Sequence, residues 1–267
     1  MYGYSIGHIG QSITYGFIST YLVVYLTDGV GLSSSTAATI SALALIVEFF
    51  VGMIVGNASD NCTSKMGRRR PFMMTAGIFI IPIMAMLFHI FDFGSSFNFA
   101  YYLLFAILFR VCFASWEITN AAFGAEIALG YDERTKLRTI SRVCSVFGNG
   151  VAYVLPVYML ELFDTKEAAW EITGVLVAAV ASVSWFTSVI VNRGRGVILT
   201  ERLEEKGKGL GFLSVARNYL ELLKLKSARI LVLYKVGFTC SYALINVALM
   251  YYMEYSAGLS NNFKTYV

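Results

Sequence analysis

Residues 56–72 read GNASDNCTSKMGRRRPF and form a short polar stretch between two strongly apolar segments. The stretch holds Asp60, seven residues before Gly67, and three consecutive arginines that lead into Pro71. In an apolar protein, basic residues gathered in a short loop indicate that the loop stays on the cytoplasmic side of a membrane. These residues therefore predict a membrane fold and the direction in which the chain crosses the bilayer.

The composition is typical of a membrane protein built from helices. Hydrophobic residues make up 57% of the 267 and charged residues 14%, whereas a soluble domain carries about 25% charged residues. Several windows lack Lys, Arg and Asp over about 20 residues, the length of a helix that spans a bilayer. Such segments have to be helical because lipid offers no partners to backbone amides. The predicted fold class is an all-α membrane protein.

Seven spans are predicted from the apolar segments. They cover residues 4–27, 34–57, 71–91, 98–126, 138–162, 168–192 and 228–254. Of the 21 Lys and Arg residues, 17 lie in or beside the connections that follow the second, fourth and sixth spans. The positive-inside rule then places these connections and the N-terminus in the cytoplasm, with the protein in the cell membrane. Because this bias explains the net charge of +4, the charge does not indicate nucleic-acid binding.

The long basic connection after the sixth span divides the chain. Residues 193–211 are charged and interrupted by glycines, which is typical of a flexible linker. Residues 212–224 place apolar side chains at helical spacing, which predicts an amphipathic helix on the inner membrane surface. We therefore expect a six-helix bundle (1–192), a cytoplasmic linker with its amphipathic helix (193–227) and one further spanning helix (228–267). A single helix after a linker suggests the start of a second unit, so we expect the chain to be a fragment.

Four stretches resemble one transporter family in order and position. One is the loop in which Asp60 is followed, after six residues, by GRRRPF. The others are YLTDGVGLS (25–33), YDERTKLRTISR (131–142) and MYYMEYSAGLS (250–260). Together they are similar to the glycoside–pentoside–hexuronide:cation symporters, the melibiose-permease-like family of the major facilitator superfamily.

The resemblance implies a fold and a function. This family has twelve spans in two six-helix halves, so the chain would hold the N-terminal half and the first helix of the second half, with the rest of the C-terminal half missing. The implied function is cation-coupled symport of a sugar or glycoside by alternating access, with no enzymatic activity and no cofactor beyond a coupling proton or sodium ion. Without its second half, the chain is not expected to transport.

Charged groups inside the spans are the candidates for function, because burying them in a membrane is costly. At 1.5 Å per residue, Glu48, Glu117 and Arg142 stand roughly 15–22 Å above the basic loops, near the middle of the bilayer. Glu117 and Arg142 are close enough in height to pair. The resemblance implies that both bind the sugar and that Glu48 binds the cation. The alternatives are a structural ion pair between helices and, for Glu48, a carboxyl satisfied by a neighbouring helix.

The sequence departs from the family pattern at its binding positions. The resemblance implies that Ser12, with Gln11 beside it, stands where the first span has a substrate-binding aspartate, and that Gly52 stands where the second span has another cation-binding aspartate. The lone carboxyl of Glu48 favours proton coupling over a sodium site of paired carboxylates, and the absence of coupling is a further alternative. Arg110 lies on the same helix face as Glu117, so it either lines the outer half of the cavity or pairs with a carboxyl elsewhere.

The loop between the second and third spans carries a predicted cytoplasmic gate motif. Its members are Asp60, Gly67, Arg68, Arg69 and Arg70. Charges at these helix ends can pair with charges and helix C-termini of the opposite half and hold one conformation closed. The alternative is that the arginines only determine topology.

Two other functions fit parts of the sequence. A transporter of this fold could carry a lysolipid or another organic solute. Seven helices also suggest a receptor or retinal-type protein, with Lys235 as the Schiff-base lysine. The predicted partners are a small-molecule solute and the lipid bilayer, without nucleic acid. No metal-ligand spacing or nucleophile–base pair is visible in the sequence.

Overall fold

The computed structural model describes residues 2–64, 66–91, 95–128, 130–163, 165–193, 221 and 224–255. In these residues the structure is helical. The helices, numbered here in chain order, are α1 (Tyr2–Val24), α2 (Ser34–Asp60), α3 (Arg70–Leu87), α4 (Ser95–Ile127), α5 (Tyr131–Leu162), α6 (Lys166–Val191) and α7 (Lys226–Tyr255), with a π-helical turn (Tyr25–Gly29) after α1. The chain forms two compact units, Met1–Gly209 and Leu210–Val267. The predicted amphipathic helix over 212–224 lies almost wholly outside the described residues.

Five helices of the first unit, α2 to α6, are long and apolar enough to cross a membrane. The first helix, α1, has 23 residues and carries His, Gln, Ser and Thr side chains together with several glycines. It nevertheless packs along its length against α5 and α6. Its polar side chains can therefore form contacts inside the bundle instead of facing lipid.

The helices of the first unit do not pack in sequence order. The main contacts of α1 are with α5 and α6, whereas α4 packs against α2 and α3, and α3 packs against α6. Although α4 and α5 are consecutive in the sequence, they do not pack along their lengths in the described residues. This arrangement determines which buried side chains can meet.

Close packing of α1 against α6 depends on Gly10. A Cβ atom at this position would lie 2.7 Å from the Cα atom of Ala181, a backbone atom that cannot move aside. Gly150 of α5 is the matched opposite case, since a Cβ there would meet nothing within 4 Å. The helices α1 and α6 can thus approach this closely because Gly10 has no side chain.

We expect Gly10→Ala to lower the free energy of unfolding by about 1–3 kcal/mol, because the added methyl group has to push two packed helices apart. Gly150→Ala serves as the control and is expected to cause no loss. Thermal unfolding of the detergent-solubilised chain, followed by circular dichroism, measures both. Equal unfolding temperatures for the two variants would contradict the close approach of α1 and α6.

The predicted spans correspond to the observed helices, with one clear difference in α5. This helix begins at Tyr131, whereas the span was predicted from residue 138. Its first turns are charged, with Asp132 and Glu133 at the positive N-terminal end where acidic groups are stabilising. Hydrophobicity marks only the apolar part of a helix, so the sequence placed these charged turns in a connection.

Candidate functional site

A partly buried ion pair joins α2 to α4. Arg110 Nη1 donates to Glu48 Oε2 at 2.9 Å, and the two side chains are only 5% and 18% exposed. The guanidinium also lies over the ring of Phe109, 5.8 Å from its centroid. Of the two alternatives left open for Arg110, the structure shows pairing with a carboxyl. It also gives Glu48 a charged partner that the sequence did not identify.

Glu117 is joined to α1 by a hydrogen bond. Gln11 Nε2 donates to Glu117 Oε1 at 3.3 Å. Glu117 is otherwise exposed, and it interacts electrostatically with both Glu48 and Arg110. The side chains of α1, α2 and α4 thus meet in one polar cluster within an apolar bundle.

The polar cluster continues along α1 towards the helix's N-terminal end. His8 Nε2 lies 3.4 Å from Asn120 Nδ2, and His8 also interacts with Gln11. The hydroxyl of Tyr4 donates to the backbone oxygen of Asn120 at 3.0 Å. Asn120 was not identified from the sequence, and the one available indication was its position three residues after Glu117. That spacing puts both side chains on neighbouring parts of one helix face.

The expected pair of Glu117 with Arg142 is not formed among the described side chains. Glu117 has Gln11 as its hydrogen-bond partner, while Arg142 is exposed on α5 and interacts electrostatically with His8. The cause is the packing order, since α4 and α5 are not packed against each other. Ser12 lies beside Gly148 of α5, where an added Cβ would be 3.0 Å from the Cβ of Ser12.

A second charged cluster closes the end of the bundle that carries the loop between α2 and α3, called here the basic end. Glu126 Oε1, on the last turn of α4, accepts from Arg68 Nη2 at 3.0 Å and from Arg69 Nε at 2.8 Å. Arg69 also contacts the carboxylate of Asp60 at 2.9 Å. All of these partners belong to the first unit. Glu126, at the centre of the cluster, was given no role from the sequence.

The other members of the gate motif shape the loop. Gly67 has a φ of 101°, a conformation that glycine adopts without strain. Arg70 is buried; it donates to the backbone oxygens of Asn192 and Met66 and lies over the ring of Phe123. Arg70 therefore ties α3 to α4 and to the end of α6.

The sequence model of the family described as MFS/sugar transport protein matches residues 3–267. The chain belongs to this family. The resemblance to sugar symporters of the major facilitator superfamily is therefore confirmed, as is the helical membrane fold. Since the family consists of transporters, the chain is not an enzyme, and the receptor or retinal-type alternative with Lys235 is wrong.

Several curated relatives are symporters or permeases. A symporter of Synechocystis sp. is 25% identical over 76% of this chain and 39% of its own length. A lactose permease of Lactobacillus delbrueckii subsp. bulgaricus is 27% identical over 72% of this chain and 32% of its own. An isoprimeverose transporter of Lactiplantibacillus pentosus is 21% identical over 69% and 40%. The match covers less than half of each relative's length.

Proposed function

We propose that the first unit of this MFS sugar transport protein is the sugar-binding and cation-binding unit of a cation-coupled symporter. The observation that carries the proposal is the meeting of Glu117, Gln11 and the Glu48–Arg110 pair on three helices of an apolar bundle. Ionisable groups inside a membrane are costly and are retained for function. The similarity to a lactose permease and an isoprimeverose transporter supports a disaccharide as substrate.

Glu117 is the proposed sugar-binding group. Its carboxylate is exposed and accepts one hydrogen bond from Gln11, so other acceptor positions are free to receive hydrogen bonds from sugar hydroxyls. Gln11 holds the carboxylate in place, and Arg142 contributes a positive charge from the exposed face of α5. Ser12 acts by packing. Arg110 acts through its charge and not by direct contact with the sugar, since its guanidinium is already bound to Glu48.

The proposed transport proceeds by alternating access, in which one half of a transporter built from structural repeats rocks against the other around the binding site. At the basic end, the arginine cluster around Glu126 would keep the first unit rigid during that motion. We place the basic end and the N-terminus in the cytoplasm of a cell whose plasma membrane the chain crosses.

The orientation can be tested by cysteine labelling. Tyr131→Cys and Glu167→Cys, in a background without the four native cysteines, put single thiols at exposed positions at opposite ends of the bundle. We expect a membrane-impermeant maleimide to label Glu167→Cys in intact cells and Tyr131→Cys only after permeabilisation. Labelling in the reverse order would overturn the proposed orientation.

Binding of sugar tests the function. The purified chain in lipid nanodiscs is titrated with radiolabelled lactose and isoprimeverose. We expect saturable binding that Glu117→Gln weakens by about tenfold or more, since a hydrogen bond to a charged group contributes about 1.5–3 kcal/mol. Gln11→Ala is expected to weaken binding less, because it changes only the orientation of Glu117.

Glu161→Gln is the matched control, since Glu161 is an exposed carboxyl near the C-terminal end of α5. Its affinity should equal that of the unchanged chain. The assignment of Glu117 fails if Glu117→Gln binds as tightly as this control. The proposed sugar-binding function fails if neither disaccharide shows saturable binding.

A further inference from the structure

Side chains of α1 and α4 meet in a regular series of contacts along two antiparallel helices. The contacts, in order, are His8–Asn120, Gln11–Glu117 and Tyr15–Phe113. Each step of three or four residues forward along α1 matches an equal step backward along α4. Tyr15 therefore lies one helical turn from the hydrogen bond between Gln11 and Glu117, about 6 Å further from the basic end.

The ring of Tyr15 has one packed face and a large exposed surface. Phe113 stacks against it, with the ring centroids 5.6 Å apart and an angle of 29° between the ring planes. Phe113 is 1% exposed, whereas Tyr15 is 48% exposed. Since a single stacked partner covers one face of a ring, the exposed surface of Tyr15 includes the opposite face.

Tyr15 and Glu117 are the two exposed residues on this part of the bundle. Among residues 3–18 of α1 and 109–120 of α4, the others are buried or half-buried. Trp116, next to Glu117, is fully buried and stacks on Trp185. Two adjoining helices thus present an aromatic ring and a carboxylate side by side.

We propose that Tyr15 is a specificity-determining residue, whose ring stacks on one pyranose ring while the hydroxyls of that sugar bind Glu117. This inference rests on the proposed function and names the substrate class of the site, a pyranoside with an uninterrupted C–H face. Aromatic side chains with a few well-placed polar groups are typical of small-molecule sites. Here Glu117 supplies the polar group and Tyr15 supplies the aromatic surface.

The chemistry of a pyranose matches this pair of side chains. The carbon-bound hydrogens on one face of the sugar ring form an apolar, slightly positive surface, and the face of an aromatic ring is negative. The hydroxyls at the rim of the sugar are donors, and a carboxylate is an acceptor for them. One helical turn, about 5.4 Å, is close to the width of the sugar ring, so a single pyranose can contact both side chains.

The test measures the affinity of Tyr15 variants of the full chain in lipid nanodiscs for radiolabelled lactose and isoprimeverose. Tyr15→Phe keeps the ring and should bind within about twofold of the unchanged chain. Tyr15→Leu keeps an apolar side chain but removes the ring, and it should bind about three- to tenfold more weakly. Tyr158→Leu is the control, since Tyr158 is a 58% exposed tyrosine near the C-terminal end of α5. Its affinity should equal that of the unchanged chain.

Saturation-transfer difference NMR shows which face of the sugar lies on an aromatic ring. The aromatic protons of the unchanged chain are saturated, and the transfer to each sugar proton is measured. We expect the strongest transfer to the C–H protons on one face of one pyranose ring. Tyr15→Phe should keep this pattern and Tyr15→Leu should lose it, which a role in helix packing alone would not produce. The measurement on the unchanged chain stands even if Tyr15→Leu does not fold.

Equal affinities of Tyr15→Leu and Tyr158→Leu would overturn the proposal, and so would uniform transfer to all sugar protons. Equal affinities of Tyr15→Leu and Tyr15→Phe would also overturn it, because any apolar side chain would then suffice, as it would for the acyl chain of a lysolipid. In each of these cases, sugar binding that Glu117→Gln weakens leaves the proposed function standing. If neither disaccharide binds saturably, the proposed function fails and the role of Tyr15 fails with it.

Discussion

Glu126→Gln is expected to lower the free energy of unfolding of the first unit by about 1–3 kcal/mol, the cost of leaving hydrogen-bonded groups in a partly buried cluster without their partner. Glu126 neutralises both Arg68 and Arg69, at 3.0 and 2.8 Å, and its side chain is 13% exposed. The remaining carboxylate, Asp60, is 56% exposed and contributes about 0–1 kcal/mol as a surface pair. It cannot compensate for the loss.

Denaturant unfolding of the detergent-solubilised chain, followed by tryptophan fluorescence, measures this change. Asp60→Asn is the matched comparison in the same cluster, because it removes the exposed carboxylate and leaves the buried one. We expect it to cost less than about 1 kcal/mol. If Asp60→Asn lowers the free energy of unfolding as much as Glu126→Gln does, Glu126 is not the main counter-charge of Arg68 and Arg69.

Most of the fold could be predicted from the sequence because the bilayer leaves few choices. A long apolar segment in lipid has to be a helix, and the observed helices follow the predicted spans. The exception, α5, begins earlier because its first turns lie in a charged segment, Tyr131–Leu137, that hydrophobicity does not mark. A capping argument based on Gly130 and the acidic residues after it could have extended the helix.

Less of the site could be predicted. The sequence gives the depth of a residue in the bilayer, but it does not show which helices pack against each other. Glu117 and Arg142 have similar heights, yet α4 and α5 do not pack against each other, and Glu117 meets Gln11 instead. Arg110 was expected either to line the outer half of the cavity or to pair with a carboxyl elsewhere, and only the packing of α2 against α4 identifies that carboxyl as Glu48. Similarly, three consecutive arginines require counter-charges, but only the packing of the helix ends identifies Glu126 as one of them.

The second large effect is expected at the pair between α2 and α4. Arg110→Met should destabilise the first unit by about 1–3 kcal/mol, because the partly buried carboxylate of Glu48 loses its charged partner. Glu48→Gln should cost a similar amount, since the guanidinium that remains is only 5% exposed and cannot lose its charge. Denaturant unfolding of each variant gives the two values.

The double variant Glu48→Gln/Arg110→Met separates the value of the pair from the cost of breaking it. Replacing both partners of a buried ion pair by groups of similar size is often close to neutral, so we expect the double variant to recover most of the stability lost by either single one. The coupling energy in this cycle should then be large, as it is for residues in direct contact. Additive losses would mean that Glu48 and Arg110 are not bound to each other in the membrane.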